Sequence, residues 1–180
     1  AQDQAIKLFQ HYFSEVQEIY RELSMSVSLS NVTQELQKLA EAPGEVSPHR
    51  TREPYRRALT TIRDRLLATA YNLCEYYRDL LPPKRENGVD IPYKSVNEFT
   101  DDLVTVAESL KKNNSEFLAK GKLTNLISAT KIFGFHLATI DLRQDSSVHE
   151  VCVAELLKSA NILEDYLSLS ENARCEILLR

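Results

Sequence analysis

The stretch FGFHLATIDLRQDSSVH, Phe133 to His149, decides how this chain is read. From Gly134 to Leu142 both alternating faces begin largely apolar. Phe135, Leu137 and Thr139 share one face, and His136, Ala138, Ile140 and Leu142 share the other. That pattern predicts a β-strand over 134–142, covered on both sides as in parallel α/β sheets and barrels. Only its carboxyl end turns polar, with Asp141, then Arg143 and Gln144. In a (β/α) barrel that end of a strand is where active-site groups project. Arg143 carries a planar fork of donors, always charged and suited to a phosphate or carboxylate. Ser147-Val148-His149-Glu150 fits the S-x-x-E capping box, so a helix begins nearby and its first amides favour an anion. Strand end, arginine and helix start together predict an oxyanion pocket. The alternative is that Asp141 and Arg143 simply pair at a strand end. His149, in the first helical turn, reads as solvent-facing or capping.

Around this stretch the chain reads as helices. Ile6, Phe9, Phe13, Val16, Ile19, Tyr20 and Leu23 recur at steps of three and four and predict a helix over Asp3 to Leu23. A short helix follows, entered at Asn31 with Gln34 three residues on. Residues 42–52, with Pro43, Gly44 and Pro48, read as a loop. The longest helix is expected from Glu53 to Leu81, with Pro54 in its first turn and Pro82-Pro83 as its stop. Its stripe is Tyr55, Leu59, Ile62, Leu66, Ala70, Leu73, Tyr77 and Leu80. Lys84 to Tyr93, with Asn87-Gly88 and Pro92, predicts a turn-rich, mobile connection. Ser95 opens a helix whose Val96, Phe99, Leu103, Val106 and Leu110 form a narrow seam, closed by Lys111-Lys112 at the negative end of its dipole. Further helices are expected at Leu123–Ile132, Ser147–Ser159 and Ser170–Arg180.

The bulk properties narrow the function classes. The chain has 180 residues and a net charge of −4, so nothing global attracts nucleic acid or anionic lipid. No apolar run approaches the roughly 20 residues that span a membrane. Cys74, Cys152 and Cys175 are odd in number and widely separated, which argues for a reducing, cytoplasmic setting and against a zinc site. Each is expected to pack as a small hydrophobe. Arg50, Arg52, Arg56, Arg57, Arg63 and Arg65 make a basic run, but Glu53 and Asp64 interrupt it and no aromatics interleave. It reads as a solvated or acid-paired helix face rather than a nucleic-acid surface. His11, His49 and His136 have no metal-ligand spacing, and Tyr71, Tyr76 and Tyr77 sit at packing positions.

FGFHLATIDLRQDSSVH resembles the segment of phosphoenolpyruvate carboxylases that reads as a strand followed by D-[IL]-R-Q-[ED]-S-x-x-H. YFSEVQEIYRELSMS, EPYRRALTTIRDRLLAT and the helix and turn that feed into KIFGFHL resemble the same family in the same order. The similarity thus spans nearly the whole chain, and Asp145 stands where glutamate is common. The resemblance implies magnesium-dependent carboxylation of phosphoenolpyruvate by bicarbonate, giving oxaloacetate and phosphate. It implies a helix-wrapped (β/α) barrel in a cytoplasmic homotetramer. It also implies that Arg143 binds phosphoenolpyruvate, with Asp141 and Gln144 in support. The family's T-A-H-P-T, H-G-R-G-G and G-Y-S-D-S motifs do not occur among the 180 residues. No catalytic base and no magnesium ligand are therefore expected in this chain.

The expectation is a mainly α fold, an irregular helical bundle with one candidate strand, forming a single piece (1–180) of a larger barrel enzyme. An unpaired strand cannot satisfy its own backbone groups. The last helix also reaches Arg180 without a C-cap glycine. Both features fit an internal fragment that is inactive alone. The alternative is a stand-alone helical module that binds a partner helix or an anion without catalysis.

Overall fold

A computed structural model of the chain describes residues 2–26, 31–41, 50–138 and 143–179. These residues are mainly helical, and none of them forms a strand. Backbone contacts divide the chain into two compact units, Ala1–Thr139 and Ile140–Arg180.

The first unit is built on helix α3, Pro54–Leu73. Thirteen of its residues are buried, so it is covered on nearly every side and acts as the central post. Helix α1, Gln2–Glu22, lays Ile6, Phe9, Tyr12, Val16 and Ile19 into the core. Helix α2, Gln34–Ala40, packs against α3 through Leu36 and Ala40. Helix α4, Val96–Lys112, buries Phe99, Leu103, Val106 and Leu110 as its step pattern predicts. A single turn, α5 (Glu116–Ala119), leads to α6, Lys122–Phe133, which packs on α4 and α1. The Tyr55 hydroxyl lies 3.0 Å from Ser109 Oγ and accepts from Asn113 Nδ2 at 3.3 Å, and the Thr33 amide donates to Ser109 Oγ at 3.3 Å. One polar knot thereby ties α3, α4 and the start of α2.

Several boundaries differ from expectation. Thr33, not Asn31, caps α2, its hydroxyl accepting from the Leu36 amide at 3.3 Å. The long helix breaks at Cys74 instead of running to Leu81. Residues Glu75–Leu80 follow as 3-10 turns interrupted at Tyr77. The break is stabilised from outside the helix: Arg78 Nε donates to the Tyr71 carbonyl at 2.9 Å, and the Tyr71 hydroxyl donates to the Pro82 carbonyl at 3.2 Å. With two prolines next, the chain must leave the helical path, and tight turns do so while keeping carbonyls bonded. Leu73 and Leu80 consequently face solvent at 46% and 53% exposure.

The connection to α4 is held down rather than left loose. The Val89 amide donates to Asp64 Oδ2 at 3.4 Å, and the Tyr93 amide donates to Thr69 Oγ1 at 2.8 Å. Val89 and Tyr93 are both buried.

The second unit holds α7, Ser146–Ser159, and α8, Glu171–Leu178. Arg174 on α8 pairs with Glu150 on α7 at 3.2 Å, and its guanidinium lies 5.4 Å from the centre of the Tyr166 ring. Among its described residues only Tyr166 is buried. Val151, Leu156 and Leu178 are each more than half exposed.

The break at Cys74 is testable. Leu66→Ala removes a fully buried side chain and should lower the unfolding free energy by about 2–5 kcal/mol. Leu80→Ala should change it by less than about 0.5 kcal/mol. Urea melts of the two variants decide, because equal losses would mean that the packed stripe continues to Leu80.

Candidate functional site

Residues 134–138, the described part of the expected strand, form turns. The rest of it, 139–142, lies outside the described residues, and Asp141 with it. Helix α6 ends at Phe133, and Gly134 leaves it with φ +58°. A Cβ at Gly134 would stand 2.9 Å from the His136 ring, so both backbone and space call for glycine there. The Leu137 amide donates to the Phe133 carbonyl at 3.0 Å, and the Ala138 amide donates to the His136 carbonyl at 2.8 Å. That last bond closes a three-residue turn around Leu137, whose φ is +67°.

What holds the turn is aromatic. Phe135 stacks against Phe9 at 5.3 Å and against Phe99 at 6.1 Å. Tyr12 lies 5.6 Å from Phe99, and its buried hydroxyl meets the Gly134 carbonyl at 2.9 Å and the Ala129 carbonyl at 3.3 Å. The Thr100 and Thr130 hydroxyls join at 2.8 Å beside them. Burial of this face outweighs strand formation, since an extended 134–138 would need a ladder partner for its amides. Tyr12 was not legible as a site residue. The α1 stripe runs through Phe13 in sequence, yet Phe13 is half-buried and Tyr12 fully buried.

Beyond the undescribed residues, Arg143 and Gln144 are exposed immediately before α7. Asp145, not Ser147, caps that helix: its Oδ1 accepts from the Ser147 amide at 2.9 Å and the Ser147 hydroxyl at 2.7 Å. These bonds hold the Asp145 carboxyl below the usual range, the Ser147 hydroxyl contributing most. The expected capping box therefore gives way to an aspartate cap. A carboxylate already occupies the helix start, so α7 does not offer free amides to an anion as the sequence suggested. His149 is exposed and its amide bonds to the Asp145 carbonyl at 3.3 Å.

The arginine run is spent on internal structure. Arg56 Nε donates to the Tyr20 carbonyl at 3.1 Å, and Arg63 and Arg85 lie 3.7 Å and 3.5 Å from the buried Asp64 carboxylate. Arg65 donates to Asp102 at 2.9 Å and to Glu98 at 3.0 Å, with its guanidinium 4.0 Å from the Tyr93 ring centre. The Tyr93 hydroxyl donates to the same Asp102 oxygen at 2.8 Å. Burial pushes the Asp102 carboxyl above its ordinary value despite these donors. A cleft of about 360 Å³ opens beside Tyr20 and Thr60. The charges of Arg63 and Arg85 on its wall already face Asp64, so it is not a bare basic pocket.

The match to known families decides the assignment: the model of the phosphoenolpyruvate carboxylase family covers residues 1–180. The chain belongs to the phosphoenolpyruvate carboxylase family. Phosphoenolpyruvate carboxylases depend on a divalent metal, yet among the described residues no three His, Cys, Asp or Glu side chains converge as such a site requires. The carboxylates that do approach one another, Glu98 and Asp102, are taken up by Arg65. These residues do not fit a magnesium ion, and no metal-dependent step is derived from them. No helix among the described residues is long and apolar enough to cross a membrane.

The buried Tyr12 phenol carries a pH dependence. Burial pushes it up from 10.0 to about 12. A phenol that holds its proton more tightly when folded adds stability that is complete below pH 10 and is lost as pH rises towards about 12. The loss attributable to Tyr12 should be about 2–3 kcal/mol across that window. Urea midpoints on either side of it should fall more in the native chain than in Tyr12→Phe. A parallel fall in the two would remove Tyr12 from the effect, leaving Tyr93, also pushed upward by burial.

Proposed function

We propose that this chain supplies the phosphoenolpyruvate-binding arginine of a carboxylase that joins bicarbonate to phosphoenolpyruvate, giving oxaloacetate and inorganic phosphate. The observation that carries the reading is the family match over residues 1–180 together with the D-L-R-Q-D-S-x-x-H run that contains Arg143. Arg143 suits the task because its charge persists at every physiological pH and its coplanar donors fit two phosphate oxygens at once. Asp141 and Gln144 flank it in sequence and orient it. Phosphate transfer and carbon–carbon bond formation need in addition a base and a metal ion. The family's motifs for both do not occur in these 180 residues. Magnesium, bicarbonate handling and the homotetramer therefore belong to the enzyme in which this chain works, and the isolated chain does not turn over.

The setting we assign is the cytoplasm. All three cysteines are free thiols, Cys74 buried and Cys152 and Cys175 exposed, as suits a reducing compartment.

Two measurements test the reading. In the full enzyme, Arg143→Ala should raise KM for phosphoenolpyruvate and lower kcat/KM by roughly 100-fold. Unchanged kinetics would remove Arg143 from the substrate site. The 180-residue chain alone, in a coupled oxaloacetate assay, should show no magnesium-dependent activity, and turnover there would overturn its proposed dependence on further catalytic groups.

A further inference from the structure

We infer that Tyr12 is a positioning residue for the substrate arginine: its hydroxyl, held in the core by Phe99, fixes the point at which the chain leaves the first unit on its way to Arg143. The inference rests on the reading of Arg143 as the phosphoenolpyruvate ligand.

The last carbonyls of a helix have no partner within it. At the end of α6 one phenol meets two carbonyls, Gly134 at 2.9 Å and Ala129 at 3.3 Å. A single O–H donates along one direction at a time, and the shorter contact marks Gly134 as the main acceptor. Gly134 is the residue whose positive φ turns the chain out of the helix, so the bond acts at the pivot itself. The phenol is supplied by α1, 122 residues earlier in the chain. The pivot is thus tied to a separate helix, not to its own neighbours.

The adjacent contacts make the tie specific. Phe135 lies against Phe9 of α1 and Phe99 of α4. With Phe135 so clamped, the Gly134 carbonyl has little freedom except rotation of the Gly134–Phe135 peptide plane. That rotation is what a bond to the carbonyl oxygen arrests. From Gly134 the chain reaches Arg143 in nine residues, so an angular error at the pivot is carried along the path to the guanidinium. A misplacement of about 1 Å in a substrate-orienting group is enough to impair catalysis. Tyr55 provides a built-in comparison. It too is a fully buried tyrosine with a bonded hydroxyl, but its partners are Ser109 and Asn113 on the α4 side of the bundle, and none lies in 134–138.

The test uses the full enzyme with Tyr12→Phe, Tyr55→Phe and Arg143→Ala made separately. Tyr12→Phe should raise KM for phosphoenolpyruvate roughly three- to tenfold while kcat changes less than about twofold. Amide hydrogen exchange at 134–138 should quicken in the same variant. Tyr55→Phe, which loses a comparable buried bond, should move neither. If Tyr12→Phe leaves both KM and the 134–138 exchange at native values, or if Tyr55→Phe shifts KM equally, the positioning role is refuted. If Arg143→Ala leaves KM unchanged, the substrate-site reading falls, and the positioning role of Tyr12 falls with it. In that case quickened exchange in Tyr12→Phe would show only a structural anchor.

Discussion

The first unit depends on one aromatic contact set, centred on Phe99. Its ring is fully buried and lies within 5.3–6.1 Å of Tyr93, Tyr12 and Phe135. These neighbours come from the connection before α4, from α1 and from the turn after α6. Rings of this size each remove a large apolar area from water and prefer tilted or offset contacts. The polar tips then have to be satisfied, and each tyrosine meets that need differently. Tyr12 bonds to backbone carbonyls, and Tyr93 to a carboxylate that Arg65 neutralises. Packing at the centre thereby dictates which polar groups the periphery must provide.

Much of this was legible in the sequence wherever periodicity alone decides. The α4 seam from Phe99 to Leu110 is buried as its steps of three and four predict, and Pro54 sits in the first turn of α3. Periodicity failed where it continued past a real break. Tyr77 and Leu80 keep the α3 rhythm, and nothing local announces that Cys74 ends the helix. Local motifs failed where two residues competed for one role. Asp145 and Ser147 both suit a cap, as do Asn31 and Thr33, and backbone geometry chose between them. The stretch from Gly134 to Ala138 shows the deeper limit: an apolar run reads alike whether it pairs in a sheet or folds into an aromatic cluster.

For the site, the chemistry of Arg143 could be read from residue type and motif because both are local properties. The part played by Tyr12 could not, since it joins residues 122 positions apart. The one available signal was a phenol beside the α1 stripe, and a helical period blurs adjacent positions. The basic run from Arg50 to Arg65 misleads in the opposite direction. It looks like a surface for a polyanion, while three of its members are committed to Tyr20, Asp64 and the Asp102–Glu98 pair.

Cys74 stands apart from the other two thiols. It is wholly buried where α3 ends, and burial pushes its thiol pKa upward, whereas Cys152 and Cys175 are exposed on the second unit. Alkylation requires a reachable thiolate, so two thiols are open to a reagent and the third is shielded until the first unit opens. The spacing of these cysteines makes the chain its own clock. The slow third labelling event times the opening of the α3 core, and the two fast ones count the molecules present.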